Sequence, residues 1–129
     1  MFTLDQIKSA HAKVKTGADF PAYVQDLIKL GVIGYETWVA DGHTVYAGKN
    51  DFTITSPARY DVKDVMHTSN AKQFIADLKH HQQGGSDFAT FSDQCAANGV
   101  ERWVLDFSKM TCTYYDEEGE VLLEEKIPT

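Results

Sequence analysis

Residues 19–46, DFPAYVQDLIKLGVIGYETWVADGHTVY, decide the fold class. Asp19 can cap a helix, and Pro21 falls in its first turn, where a missing N–H does no harm. Phe20, Tyr23, Val24, Leu27 and Leu30 then recur at helical spacing, and Gly31 supplies a stop. Directly afterwards the pattern changes. VIGYETWVA (32–40) reads as a strand, and Asp41-Gly42 is a strong hairpin signal that returns the chain through Thr44, Val45 and Tyr46. Upstream, Thr3 and Gln6 form a capping-box pair. Leu4, Ile7, Ala10, His11 and Val14 share one face of the helix that follows, which predicts about four amphipathic turns ending at Gly17. Downstream, a short strand from Phe52 to Thr55 ends before Pro57.

The second half starts again in the same order. Ser69 or Asn70 can cap a helix whose inner face carries Ala71, Phe74, Ile75 and Leu78, and Gly84-Gly85 stops it. Ser86 is the expected cap of the next helix, with Phe88, Phe91 and Cys95 on one face and an end at Asn98-Gly99. Strands follow from Val100 to Phe107, Met110 to Tyr115 and Glu120 to Lys126, the last two flanking an Asp116-Glu117-Glu118-Gly119 turn. At an offset of 68, Ile7 meets Ile75, Gly17 meets Gly85, Asp19 meets Asp87 and Phe20 meets Phe88. Gly31 likewise meets Gly99, Val32 meets Val100 and Tyr46 meets Tyr114. These identities fall at helix stops, a helix start and buried faces. They fit an internal duplication of a helix–helix–β–β–β unit, residues 3–56 and 71–124 about a pseudo-twofold axis with residues 57–70 as linker. They equally fit two motifs made alike by the same capping and packing physics. Neither half buries its sheet face alone, so the expectation is one α+β domain over residues 1–129, with four helices on a mainly antiparallel sheet of five or six strands.

Composition limits the function classes. The chain has 129 residues, 43% of them apolar and 24% charged, which is globular and argues against disorder. Its net charge is −7, from 12 basic and 19 acidic residues, so the basic footprint that nucleic-acid binding rests on is missing. The acid excess is lopsided: residues 1–70 hold eight acids against seven bases, residues 71–129 eleven against five. No apolar run approaches the roughly 20 residues that cross a bilayer. The opening Met1-Phe2-Thr3-Leu4-Asp5 lacks the basic and apolar regions of a signal peptide. Two cysteines are too few for a disulfide scaffold. A cytoplasmic protein without nucleic-acid or membrane partners is the expectation.

No constellation of residues specifies a reaction. Asp77 and His81 stand four apart on a helix, where a carboxylate can orient an imidazole, although a surface pair near a helix C-terminus is the plainer reading. His80 and His81 point about 100° apart and cannot chelate one metal. His11 reads as a core or edge histidine, while His43 and His67 lack a partner at motif spacing. Cys95 and Cys112 read as packed thiols, since neither has the cation or helix N-terminus that would activate it. A Cys95–Cys112 disulfide is the minor option. Tyr115 alternates with Tyr114 and so faces the opposite side of its strand, where it can line a groove beside Asp116. Asp77, His81, Tyr115 and Asp116 are thus the candidate ligand-binding residues. Glu117, Glu118 and Glu120 are candidates for docking a basic protein, with self-association as the other partner option and a charged, aggregation-resistant edge as the plainer reading. No cofactor or metal site is expected, and the acidic turn lacks EF-hand spacing. A binding domain is the leading expectation; a small enzyme around His81, Asp77 and the Tyr114–Asp116 strand end is the alternative.

The strings HQQGGSDFATF (81–91), GVERWVLDF (99–107) and TCTYYDEEGE (111–120) resemble the YbcV-like family of bacterial and prophage-associated proteins. The similarity runs along nearly the whole chain and is most distinctive in the second half. The resemblance implies a compact α+β domain and a prophage association; it carries over no activity and no catalytic residues. Some members carry a phage-envelope label, for which this chain offers neither a membrane segment nor a fibrous repeat.

Overall fold

The computed structural model describes residues 1–15 and 17–128. Helices α1 (Leu4–His11) and α2 (Phe20–Leu30) precede strands β1 (Val32–Trp38), β2 (Thr44–Gly48) and β3 (Thr53–Thr55). Helices α3 (Ala71–Gln82) and α4 (Phe88–Ala97) precede β4 (Arg102–Asp106), β5 (Thr111–Tyr115) and β6 (Val121–Lys126). The six strands form one sheet in the order β3-β2-β1-β4-β5-β6, with every neighbouring pair antiparallel. The α+β expectation therefore holds at the upper of its two strand counts.

Local chemistry accounts for most boundaries. Thr3 Oγ1 accepts the Gln6 N–H at 3.2 Å while Gln6 Oε1 accepts the Thr3 N–H at 2.9 Å, completing the capping box. The helix it opens is shorter than predicted, ending at His11 rather than near Gly17. The N–H groups of Lys13 and Val14 turn back to Ala10 and His11, three residues earlier, and the Lys15 N–H goes to the Asp19 carboxylate at 2.8 Å. The α-helical ladder thus loses its donors. Asn70 caps α3 by accepting the Gln73 N–H at 3.1 Å. Asp87, not Ser86, caps α4, accepting the Thr90 N–H at 2.7 Å. Its carboxyl is held below the usual range by that contact, and a negative charge suits the helix N-terminus. Ser86 lies instead against His81.

The hairpin after β1 turns through Val39–Gly42. Thr37 pairs with Thr44, the Trp38 N–H reaches His43 O at 3.0 Å, and the Gly42 N–H reaches Trp38 O at 2.8 Å. Gly42 takes φ 76°, a conformation costly for other residues.

Strand register follows the sequence offset. The β1–β4 ladder runs from Gly34↔Asp106 to Trp38↔Arg102 and centres on Glu36↔Val104, residues 68 apart. Exchanging the halves at that offset maps this ladder onto itself. In the hairpins, Tyr35↔Tyr46 corresponds to Trp103↔Tyr114 and Thr37↔Thr44 to Leu105↔Cys112. The outer pairs depart by one residue: Tyr46 meets Ile54, whereas Tyr114 meets Leu123, beside an irregularity between Tyr114 and Tyr115.

Both helix pairs lie on one face of the sheet. Ile7, Tyr23, Val24 and Leu27 pack with Val32, Tyr46, Leu105 and Phe107 in one cluster. Phe74, Leu78, Phe91 and Cys95 pack with Val39, Val100 and Tyr114 in the other. Trp103 and Cys112 touch both clusters. The opposite face carries Glu36, Trp38, Arg102, Val104 and Tyr115, the alternate positions of the same strands.

Candidate functional site

The segment between the halves positions the site. Leaving β3, it is pinned to the β1–β2 turn by the Arg59 N–H to Asp41 O and the Lys63 N–H to Ala40 O, both 2.8 Å. The Tyr60 hydroxyl also donates to Val39 O at 2.6 Å. Farther on, the Met66 N–H reaches Ala96 O and the Asn70 N–H reaches Asn98 O, both at 2.9 Å. Residues 63–68 are thereby held over one end of the sheet, and a cleft of about 630 Å³ opens between them and the strand ends. Trp38, Asp64, Met66, His67, Glu101 and Glu117 line it, together with Lys63.

Acidity is the cleft's main electrostatic feature. Burial raises the Glu101 carboxyl above its ordinary range, and the nearby charges of Glu117, Asp116 and Glu36 push it further against the pull of Arg102. Lys63 does little to offset them, because its Nζ sits 2.6 Å from Asp93 Oδ1 and over the Tyr60 ring. His67 Nδ1 lies 2.7 Å from Glu117 Oε2 and is fully exposed; that contact raises its pKa. Trp38 supplies an aromatic wall, stacked parallel to His43 at 6.1 Å.

The residues singled out in the sequence separate. Asp77 Oδ1 accepts Gln73 Nε2 at 2.9 Å and its Oδ2 accepts Asn98 Nδ2 at 2.8 Å, which ties α3 to the end of α4. His81 lies flat on Phe91 at 4.3 Å, with Nδ1 3.0 Å from both Ser86 O and Ser86 Oγ. The two thus take different partners. Tyr115 does face away from Tyr114, and its ring lies 4.2 Å beneath the Arg102 guanidinium, which also reaches Glu36 Oε2 at 3.2 Å. Asp116 shapes its turn by accepting the Glu118 and Glu120 N–H groups, both at 2.9 Å. Glu117 enters the cleft; Glu118 and Glu120 are exposed on the turn.

Both cysteines are free, and burial pushes the Cys95 thiol up and the Cys112 thiol up to about 12. Both stay protonated near neutrality, which agrees with packed thiols rather than nucleophiles. Among the described residues, no group of three or more His, Cys, Asp or Glu side chains could hold a metal ion. No helix among them is long and apolar enough to cross a membrane.

Sequence reasoning missed Trp38, Asp64, Glu101 and His67 as neighbours. His67 and Glu117 meet across 50 positions, and no local spacing announces such a contact. The one available signal is the crowding of acids after residue 100.

No curated protein matches the chain. Residues 8–126 match the family described as protein of unknown function (DUF1398), and the chain belongs to that family.

Proposed function

We propose that this chain is a non-enzymatic binding domain that receives a basic side chain of a partner protein in the cleft between residues 63–68 and the ends of β1, β4 and β5. The observation that carries this reading is Glu101, set beside Glu117 and Trp38 in that cleft with its carboxyl raised by burial and by neighbouring acids. A lysine or arginine entering there relieves like-charge repulsion. Electrostatic steering by the acidic second half speeds such an encounter. Self-association by sheet-edge pairing is less favoured, because edge strand β6 carries Glu124, Glu125 and Lys126.

The alternative, an enzyme around His81, Asp77 and the Tyr114–Asp116 strand end, gains less support from the separate partners of Asp77 and His81. A reducing cytoplasm as the setting is supported by the two free thiols, and a phage–host encounter by the family resemblance alone. Descent of both halves from one unit, within a single domain, is part of this proposal and is supported by the shared strand register.

Calorimetric titration with an end-blocked Lys/Arg hexapeptide tests the binding reading. Glu101→Gln and a Glu117→Lys, Glu118→Lys, Glu120→Lys set should each weaken binding by about tenfold or more, the effect shrinking as salt rises. Equal affinity for wild type and both variants would remove the cleft from the account.

A further inference from the structure

A second pocket, of about 350 Å³, lies between α1 and residues 56–59, apart from the acidic cleft. Its apolar part is Leu4, Ile7 and Pro57, and the buried Tyr46 stands in its wall. Lys8, His11 and Arg59 also line it, and no carboxylate does. This is unusual placement for three basic side chains in a protein with 19 acidic residues. Neither Lys8 nor Arg59 is ion-paired with a carboxylate among the described residues. Arg59 is aligned by the Phe88 ring, 4.9 Å from its guanidinium carbon, and its backbone is fixed by Asp41 O.

The aromatic groups behind the lining complete the arrangement. His11 meets Tyr23 edge to face at 5.4 Å. Burial raises both the Tyr23 and the Tyr46 phenols, the first further because of its neighbour Tyr46, so both remain protonated at neutral pH. Arg59 acts electrostatically on His11, Tyr23 and Tyr46 together. Burial and that guanidinium lower the His11 pKa, so its ring is neutral when the pocket is empty at neutral pH. At the offset of 68, Tyr23 corresponds to Phe91 and Tyr46 to Tyr114. There His81 lies on Phe91 and Phe74 packs 4.9 Å from Tyr114.

We propose that this pocket binds a small organic carboxylate, with its apolar body against Leu4, Ile7 and Pro57 and its charge toward Arg59, Lys8 and His11. The volume lies near the lower end for small-molecule sites, about 300–1,000 Å³, which sets the ligand's size. A bound carboxylate favours the imidazolium, so ligand uptake and protonation of His11 are linked. The groups facing His11 are Lys8 on its own helix, Tyr23 on α2, Tyr46 on β2 and Arg59 on the connecting segment. This site is independent of the acidic cleft.

The probe is benzoate, with isosteric neutral benzamide as comparison, titrated into the full chain by heteronuclear NMR while the His11 ring protons report its pKa. Benzoate should perturb α1 and residues 56–59, bind at least tenfold more tightly than benzamide, and raise the His11 pKa. Arg59→Gln should weaken benzoate at least tenfold, leave benzamide unchanged, and raise the His11 pKa of the free protein. Lys8→Gln, an exposed helical change, should weaken benzoate in the same direction and serves if Arg59→Gln unfolds. Equal binding of acid and amide, perturbations elsewhere, or an unmoved His11 pKa would overturn the proposal.

Discussion

Tyr23 with Tyr46, and Phe91 with Tyr114, occupy matching places in the two halves, yet their surroundings differ. In the first half the two phenols are buried near each other and His11 meets Tyr23 edge-on beside an open pocket. In the second, Phe74 packs against Tyr114 and Phe91, with His81 flat on Phe91. Positions related by the offset of 68 thus carry a more polar aromatic pair beside a pocket in the first half and a cluster of packed rings in the second. The difference lies in side chains: a hydroxyl is present at position 23 and absent at 91, and the buried Phe74 stands where the offset of 68 gives the exposed Gln6.

The comparison sharpens first at the packed side. Phe91 is 4% exposed, so Phe91→Ala should destabilise by about 3–5 kcal/mol in a denaturant melt. Tyr23→Phe removes one hydroxyl and should cost about 0.5–1.5 kcal/mol. Equal losses would mean that the Tyr23 hydroxyl alone contributes as much as the whole Phe91 ring, which the account does not expect.

A smaller effect is expected at a helix end. Asp87→Ala removes the oxygen that accepts the Thr90 N–H and should cost about 1 kcal/mol by thermal unfolding, whereas Ser86→Ala should leave α4 capped. The smallest effect concerns acidity. The folded-state pKa of Glu101 is raised, so the folded protein disfavours its charge, and stability attributable to this group grows as pH falls through that value. Glu101→Gln should therefore be slightly stabilising at neutral pH, with the gain disappearing in acid. A Glu101→Gln protein less stable at neutral pH would contradict the crowding of acids in the cleft.

The fold was largely legible because its signals are local. The Thr3–Gln6 box, Pro21, the Gly31 and Gly99 stops and Asp41-Gly42 each act within a few residues, and the offset of 68 recurs in the strand register. Where the reading erred, a side chain took a different partner. Lys15 bonds Asp19 and shortens α1, and Ser86 lies against His81 while Asp87 takes over capping. The candidate residues were less legible for a related reason. Helical spacing placed Asp77 beside His81, but Asn98, on another helix's end, holds the Asp77 carboxylate. Of the acids near the C-terminus, the pattern did not distinguish Asp116, which builds its turn, from Glu117, which enters the cleft. Both clefts are lined by residues 56–68, a segment without regular structure whose course is set by bonds to the β1–β2 turn and to α4.

The most direct test is a titration of the ¹⁵N-labelled full chain with an end-blocked Lys/Arg hexapeptide at low salt, followed by heteronuclear NMR. The account predicts saturable shifts at the Trp38 indole N–H and the Glu101 and Glu117 amides, lost in the Glu101→Gln, Glu117→Gln double variant. Shifts confined to other surfaces, or a double variant that responds like wild type, would contradict it.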